Sequence, residues 1–313
     1  MSRATVLVAA ALFVALVAAV PAALFLHEPY LLFLFGRLAI LALAAVGLNL
    51  VLGHGGLPAF GHAGFVGVGV YTVGITATEG VLSSGWAQFG IAAVLGALVA
   101  TFTGALSLRT RGVAFLMITL AFGQMLFYGA VALERYGGDD GMVLPQPSRL
   151  AGFALQRGSV TVYAVAVLLL ALSLYASWRV MRSPFGAVLR GAAVNERRMQ
   201  AIGISVFRFR LVAFALSGAI CAVAGALLAN HGAYVSPASM SWMRSVELAV
   251  VVLLGGAGST FGPLFGAAAF VLLEEALSGF TEHWRIVFGP LLLLVVLAAP
   301  GGIAGLLSGR RHG

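Results

Sequence analysis

The sequence contains no lysine, and all eighteen of its Lys+Arg residues are arginine. A P-loop needs a lysine on the nucleotide phosphates, so the chain carries no Walker-type ATPase site. Its single cysteine, Cys221, excludes an internal disulfide. It also lacks HExxH and GxSxG motifs and any Cys/His cluster at metal-binding spacing. The sequence therefore predicts no catalytic site, no cofactor and no metal.

Charge is scarce as well. Only 9% of the residues are charged, 61% are hydrophobic, and the mean hydropathy is +1.05. Soluble domains carry about 25% charged residues, so this composition predicts a polytopic membrane protein. The pI of about 10.5 is high enough for a nucleic-acid-binding protein. The arginines, however, lie at the ends of apolar segments instead of in one patch, and no nucleic-acid partner is expected.

Apolar stretches of membrane-spanning length recur along the chain. A span needs about twenty apolar residues. We predict an all-α polytopic membrane protein forming a single transmembrane domain over 1–313, with about ten helices. The first resembles a signal peptide, but its long apolar core favours an uncleaved helix. The predicted spans are Thr5–Leu26, Leu31–Leu52, 63–79, 87–107, 112–133, 159–178, 211–230, 245–258, 260–277 and 286–303.

The arginines also predict the orientation, because cytoplasmic loops are enriched in Lys/Arg. With both termini inside, the cytoplasmic side receives twelve: Arg3, Arg109, Arg111, seven in the 179–210 loop, Arg310 and Arg311. The outer side receives five: Arg135, Arg149, Arg157, Arg244 and Arg285. This split predicts an N-in, C-in topology with an external loop at 134–158.

Two glycine-rich segments interrupt the apolar pattern and share a Gly-Gly followed by Phe-Gly. They read GGLPAFGHAGF at 55–65 and GGAGSTFGPLF at 255–265. Interrupted helices at corresponding positions of two halves point to a transport pathway. Close helix packing is the alternative for any single glycine. The candidate pathway-lining residues are Gly55, Gly56, Phe60, Gly61, His62, Gly255, Gly256, Gly258, Ser259 and Gly262.

A few ionisable residues fall within or near the predicted spans. Burying charge in lipid is costly, so such residues are candidates for function. Arg37 lies inside the second span, and we expect it to pair with one of the acids Glu247, Glu274 or Glu275. His62 follows the first break, where a structural role in capping the broken backbone is favoured over a proton relay.

The segment 179–210 is the most basic part of the chain, with seven arginines and a single acid, Glu196. Ser183-Pro184 is typical of a helix start, with Ser as the N-cap. Apolar residues then recur at helical spacing, and Gly203 suits a C-terminal cap. We predict a short amphipathic docking helix over Phe185–Gly203. A solvated loop with no partner is the alternative.

Six stretches in order carry a family resemblance, over about residues 37–307. They are GLNLVLGHGGLPAFGHAGFVGVGVYT (47–72), RTRGVAFLMITLAFGQ (109–124), GGDDG (137–141), SPFGAVLRGAAVNERRMQAIGISVFRFRLVAFALSG (183–218), LGGAGSTFGPLFGA (254–267) and PGGIAGL (300–306). The chain resembles the permease subunits of bacterial branched-chain amino-acid ABC importers, of the M type in the H/M pair. Ala193-Val194 depart from the charged pair expected there.

This resemblance implies a permease in the bacterial inner (plasma) membrane with no ATPase site of its own. The implied partners are an H-type permease, two cytoplasmic ATPase subunits, a periplasmic solute-binding protein and membrane lipid. The basic loop matches the family's ATPase-contacting region. The implied docking residues are Phe185, Leu189, Arg190, Asn195, Glu196, Arg197 and Gly203.

The resemblance leaves the substrate open. Branched-chain or similar small amino acids are the leading expectation. Urea, amides or another small solute form the alternative within the same machine. A stand-alone secondary transporter or channel is a third reading. That class favours an intramembrane acid–base pair and has no use for a basic docking helix.

Overall fold

A computed structural model describes residues 3–26, 29–150, 152–279, 286, 288–290 and 301–308. Helices dominate these residues, as the long Ala/Leu/Val runs predict. The bounds are α1 Arg3–Leu26, α2 Pro29–Asn49, α3 His62–Thr78, α4 Gly85–Ser107, α5 Val113–Val131, α6 Val160–Arg182, α7 Pro184–Val194, α8 Glu196–Ala201, α9 Val206–Gly232, α10 Trp242–Gly255, α11 Gly262–Ser278 and α12 Gly302–Ser308.

Within these residues, five helical stretches are long and apolar enough to cross a membrane. They are Tyr30–His54, Gly85–Ser107, Val113–Val131, Val160–Arg182 and Val206–Gly232. Helices α3, α10 and α11, with 17, 14 and 17 residues, are shorter. In the tenth predicted span, 286–303, residues 287 and 291–300 lie outside the described part. The all-α membrane class is supported, and ten spans with both termini inside stay a prediction.

Helix α9 is the centre of the packing and contacts α2, α3 and α4. Small residues let the backbones meet: a Cβ added at Gly69 would lie 1.8 Å from the main-chain oxygen of Ala222. A Cβ at Gly225 would lie equally close to the oxygen of Val66. Such close approach is how helices associate where lipid removes the hydrophobic driving force. The α3–α9 contact positions the first glycine-rich break beside the core.

The predicted external loop, 134–158, holds a 3-10 turn at Glu134–Tyr136 and three short strands. Strand β1 (Met142–Val143) pairs antiparallel with β4 (Tyr234–Val235), which follows α9. Strand β2 (Arg149–Leu150) pairs antiparallel with β3 (Phe153–Ala154). The loop is therefore tied to the end of α9 by main-chain hydrogen bonds.

Side chains add a second attachment at this end. Arg135 lies 2.7 Å from Glu79, and the Tyr136 hydroxyl donates to the same carboxylate over 2.9 Å. The hydrogen bond to Glu79 raises the pKa of Tyr136. These contacts join the loop to the end of α3.

Candidate functional site

The first break begins as a π-helical turn instead of the predicted loss of helix at Gly53. Leu50–His54 continues α2 with wider hydrogen bonding, and Gly55 N–H donates to the oxygen of Leu50 over 3.1 Å. The chain then leaves the helix and α3 begins at His62. Single π turns inside helices are rare and occur often at functional sites.

The second break separates α10 from α11. Helix α10 ends at Gly255, and the chain passes Gly256 (φ 108°) and Gly258 (φ 77°), a backbone region that favours glycine. Helix α11 begins at Gly262, followed by Pro263 at its first turn. A Cβ added at Gly255 would lie 1.8 Å from the oxygen of Gly262, so the two arms of the break touch. The predicted interruption is therefore present.

Asn49 joins the two breaks. Its Nδ2 donates to the main-chain oxygen of Ser259 over 2.9 Å, and its Oδ1 accepts from Gly258 N–H over 3.0 Å. The side chain thus satisfies one donor and one acceptor of a loop without helical hydrogen bonds. Gly53 leaves room for this contact, because an added Cβ would lie 2.3 Å from the nitrogen of Gly258.

His62 occupies a buried position at the start of α3. Its Nε2 lies 2.9 Å from Ser217 Oγ, which itself donates to the oxygen of Gly47 over 2.6 Å. The serine proton is used in that bond, so Nε2 carries the histidine proton and Nδ1 is unprotonated. Nδ1 has no hydrogen-bond partner among the described residues. His62 is therefore held to the backbone of α2 through a serine. Among the described residues, its side chain has no hydrogen bond to the broken backbone that it was expected to cap.

The backbone around the first break is satisfied by protein side chains. Phe60 N–H donates to Thr119 Oγ1 over 3.2 Å, and Ala63 N–H donates to Ser245 Oγ over 3.1 Å. Irregular backbone at membrane depth is tolerated when it is buried in protein or lines a cavity. The N–H groups of Phe60 and Ala63 are satisfied within the protein, so they need no water-filled pathway.

The predicted pathway residues differ in exposure. Gly55, Gly61, His62, Gly255, Gly256 and Gly262 are buried, Phe60 and Ser259 are half-buried, and Gly56 and Gly258 are exposed. The structure brings Gly258 and Ser259 to Asn49, whereas Gly61 packs on Thr119 of α5. Pathway lining stays a prediction for the whole set.

Two apolar grooves of about 490 and 390 Å3 open between the helices of the α3–α5 region. The larger is lined by residues of α4 and α5, and none of the predicted pathway residues borders either groove. The smaller has Tyr71, Thr72 and Thr76 of α3 among its walls. These grooves are separate from the contact between the breaks.

The basic segment forms a helical hairpin and not the single predicted helix. Helix α7 begins at Pro184 as expected, but Asn195 takes an extended conformation (φ −153°, ψ 96°) and α8 starts at Glu196. The Asn195 side chain accepts from Arg198 N–H over 3.0 Å and so caps α8. Ser183, predicted as an N-cap, donates to the oxygen of Val180 instead. Gly203 (φ 84°) lies just beyond α8, where a left-handed residue ends a helix.

The segment 184–201 is called the docking hairpin here after its predicted role, which stays a prediction. Its inner face belongs to the protein's own core. Leu189 is fully buried and packs with Leu50, Met181 and Ala213. Phe185 is half-buried, and its ring lies 5.6 Å from that of Phe209. Leu189 therefore attaches the hairpin to the membrane domain and is not on the outer surface.

The outer face of the docking hairpin is exposed. Val194 is 88% exposed, and Arg197 and Gly203 are exposed as well. Arg190 is exposed but turns back, and its Nη1 donates to the oxygen of Met181 over 2.7 Å. An exposed valine beside basic residues is the part of the hairpin that a partner can reach.

Glu196 fixes the orientation of α8. Its carboxylate lies 3.0 Å from Arg111, in the α4–α5 loop, and 2.9 Å from Arg210 at the start of α9. The Arg210 side chain is only 12% exposed, which shields this pair from water. The only acid of the basic segment thus attaches the hairpin to the α4–α5 loop and to α9 through two ion pairs.

The remaining charges near the spans are paired. Arg37 Nη2 donates to Glu274 Oε2 over 2.7 Å, which confirms the expected pairing of Arg37 with an acid. Tyr30 donates to Glu275 over 2.6 Å, and Arg244 lies 2.7 Å from Glu247. Among the described residues, no group of three or more His, Cys, Asp or Glu is placed to hold a metal ion.

Asn49, Thr119, Ser217 and Ser245 are site residues that sequence reasoning did not single out. Asn49, Thr119 and Ser217 lie inside apolar runs, where a lone polar side chain must find a partner, whereas Ser245 lies between Arg244 and Glu247. A polar residue within an apolar run was the only sequence signal that could have pointed to the first three of these residues. Which backbone group each one reaches depends on helices distant in sequence.

Apolar helices, two contacting glycine-rich breaks and a basic surface hairpin define a multi-pass membrane permease. Residues 30–296 match the family described as "Branched-chain amino acid transport system / permease component", and the chain belongs to this family. No solved structure matches it significantly.

Three relatives show the range of this similarity. The high-affinity branched-chain amino acid transport system permease protein LivM of Salmonella typhimurium is 29% identical over 282 residues, covering 82% of this chain. The match spans 66% of LivM's own length. The autoinducer 2 import system permease protein LsrC of Klebsiella pneumoniae is 29% identical over 309 residues. The match covers 96% of this chain and 86% of LsrC. LivH of Escherichia coli is 30% identical over 125 residues, and this match covers 39% of this chain and 40% of LivH.

These matches confirm the predicted family and the predicted multi-pass localisation in the inner membrane. The similarity to LivM covers a larger share of the chain than that to LivH, in line with the M-type resemblance. The relatives thus include permeases of both the LivM and the LivH kind. The relatives are named as permeases, not as enzymes.

Proposed function

We propose that the chain is the transmembrane subunit of an ATP-driven ABC importer for branched-chain or similar small amino acids. It pairs with an H-type permease, docks two cytoplasmic ATPase subunits and receives solute from a periplasmic binding protein. The family match over 30–296 is the observation that carries this proposal. The chain is a single membrane domain with both termini on the cytoplasmic side.

The docking hairpin supports the ATPase-binding part of this proposal. It is anchored by Leu189 and Glu196 and presents Val194 and Arg197 outward. Energy comes from the partner subunits, because the chain has no lysine and hence no P-loop of its own. The glycine-rich breaks are the proposed pathway elements.

Another solute for the same machine is the second candidate. The match to LsrC, named for autoinducer 2 import, covers 96% of the chain, so family membership alone leaves urea, an amide or another small solute open. A stand-alone secondary transporter or channel is the third candidate and is disfavoured by the docking hairpin.

Reconstitution separates these candidates. The purified chain alone in proteoliposomes should neither hydrolyse ATP nor accumulate solute. Adding the partner permease, both ATPases and the binding protein should give ATP-dependent uptake of leucine, isoleucine or valine. Uptake of autoinducer 2 or urea, without leucine uptake, would select the second candidate. Uphill uptake by the single chain would refute the importer proposal.

A further inference from the structure

We propose that Asn49 is a positioning residue that couples the docking hairpin to the second glycine-rich break. This inference rests on the proposed function, because coupling has meaning only if an ATPase acts on the hairpin. It deepens that function by naming the contacts through which hairpin movement reaches the α10–α11 loop.

Asn49 is built into the contact between the breaks. Its side chain is 1% exposed, and both of its polar atoms bond to main-chain atoms of the second break. The receiving loop includes Gly258 at φ 77°. The loop has only turn-type hydrogen bonds here, from Ser259 N–H to Gly256 and from Gly262 N–H to Ser259. The two bonds of Asn49 are added to these and link Gly258 and Ser259 to α2.

Coupling through Asn49 requires the π turn that follows it to have a second arrangement. A π turn differs from an α-helix by one residue in its hydrogen-bond register. Converting Leu50–His54 to α-helix would rotate and shift the residues around it, including Asn49. Discrete elements of this kind amplify small displacements, because packed interiors are bistable and not continuously deformable.

The docking hairpin rests directly on this π turn. Helix α7 contacts the turn, and its Leu189 belongs to the same buried cluster as Leu50, the first residue of the turn. Further along, a Cβ added at Gly56 would lie 3.0 Å from the Cβ of Ala193, so the end of α7 also touches the break. A continuous chain of contacts therefore runs from α7 through Leu50 to Asn49, and from there to Gly258. Coupling between sites needs such a chain together with an element that has two states.

The chain offers a matched control in Asn230. It is also 1% exposed, accepts from Ser148 N–H over 3.0 Å and donates to the oxygen of Ala226 over 3.0 Å. It lies in α9 and has no contact with either break among its hydrogen bonds. Asn49→Ala and Asn230→Ala each remove one buried amide with one donor bond and one acceptor bond. Only the first should alter coupling.

The first measurement is the number of ATP molecules hydrolysed per leucine taken up by the complete complex in proteoliposomes. Asn49→Ala should raise this number by about tenfold, within the usual range of coupling between sites, while ATPase association stays intact. Asn230→Ala should leave it unchanged. Equal numbers for the wild type and both variants would overturn the inference and leave the importer function standing.

The second measurement needs no transported solute. Ala257, which is exposed in the second break, is replaced by Cys, and the native Cys221 is fully buried. Labelling of Cys at 257 by a water-soluble thiol reagent should differ between the nucleotide-free complex and the complex trapped with ATP and vanadate. In Asn49→Ala this difference should vanish, and in Asn230→Ala it should persist. Persistence in both variants would refute the role of Asn49.

Asn49→Asp covers the case in which Asn49→Ala does not fold. The aspartate keeps the acceptor for Gly258 N–H and loses the donor to Ser259, so partial loss of coupling is expected. Coupling at the wild-type level in Asn49→Asp would also overturn the inference. A wild-type complex that hydrolyses ATP but imports no solute of any tested class would instead refute the proposed function, and this inference with it.

Discussion

Arg37 Nη2 lies 2.7 Å from Glu274 Oε2, and this ion pair joins α2, which leads into the first break, to α11, which follows the second. Their side chains are 35% and 17% exposed within the chain. Two helices that border the breaks are thus held together at a second point, twelve residues before Asn49 along α2.

Removing one partner of this pair should destabilise the protein. Arg37→Gln leaves Glu274 unpaired, and we expect a loss of about 1–3 kcal/mol, between the values for exposed and buried pairs. The double variant Arg37→Gln/Glu274→Gln should recover most of the loss, because no charge is left unpaired. The free energy of unfolding in detergent measures the loss in the single variant and the recovery in the double variant. Arg244→Gln, which breaks the more exposed pair with Glu247, is the control and should cost less than about 1 kcal/mol. Equal losses in the single and double variants would contradict a charge-pairing role.

The two faces of the docking hairpin should respond differently to substitution. Leu189→Ala should lower stability by about 2–5 kcal/mol, because it leaves a cavity against Leu50 and Met181. Val194→Asp should leave stability within about 0.5 kcal/mol, since Val194 is 88% exposed. The same Val194→Asp should weaken ATPase pull-down, because an unpaired charge would enter an apolar contact. Full pull-down by Val194→Asp would show that the ATPase binds elsewhere.

The two ion pairs of Glu196 should protect the docking hairpin from proteolysis. Glu196→Gln removes the carboxylate from Arg210 and Arg111 at a cost of about 1.5 kcal/mol, or about a tenfold increase in local opening. Trypsin should then cut after Arg197 and Arg198 correspondingly faster. Gln200→Ala removes only an exposed hydrogen bond to the same carboxylate and should have a smaller effect. An unchanged cleavage rate in Glu196→Gln would assign the attachment to the apolar contacts alone.

Glycines at helix contacts should be intolerant of a single added methyl group. Gly69→Ala places a Cβ 1.8 Å from the oxygen of Ala222, so α3 and α9 must separate. We expect a loss of about 3 kcal/mol, at the upper end of the usual cost of overpacking, or failure to fold. Gly129→Ala in α5 meets nothing within 4 Å and should be neutral or stabilising by up to about 1 kcal/mol. Detergent-solubilised yield and thermal unfolding report both outcomes. A well-folded Gly69→Ala would refute the close α3–α9 contact.

The sequence alone was sufficient for the class of protein and for the position of its main segments. Apolar content and helical length depend on local composition, so the spans now seen as α4, α6 and α9 could be predicted to within a few residues. The α10–α11 break was also predictable, because four glycines and a proline lie within the nine residues 255–263.

Local signals were less reliable in two places. The π turn at Leu50–His54 was missed because its hydrogen bonds depend on how α2 meets α7 and the second break. The docking segment was predicted as one helix because its apolar spacing is continuous across Asn195. In the structure the segment forms two helices that meet at Asn195, because Asn195 caps α8 and Glu196 pairs with Arg111 and Arg210.

Composition and periodicity thus determined a helical membrane protein with two interruptions and one basic segment, because these properties are read within a single stretch of chain. Tertiary structure alone decided that Asn49 reaches Gly258 and Ser259, that Leu189 faces inward and Val194 outward, and that Arg37 pairs with Glu274 instead of Glu247. Each of these relationships joins residues whose distance depends on helix packing, and a hydrogen bond or ion pair exists only when that packing brings its atoms within about 3 Å.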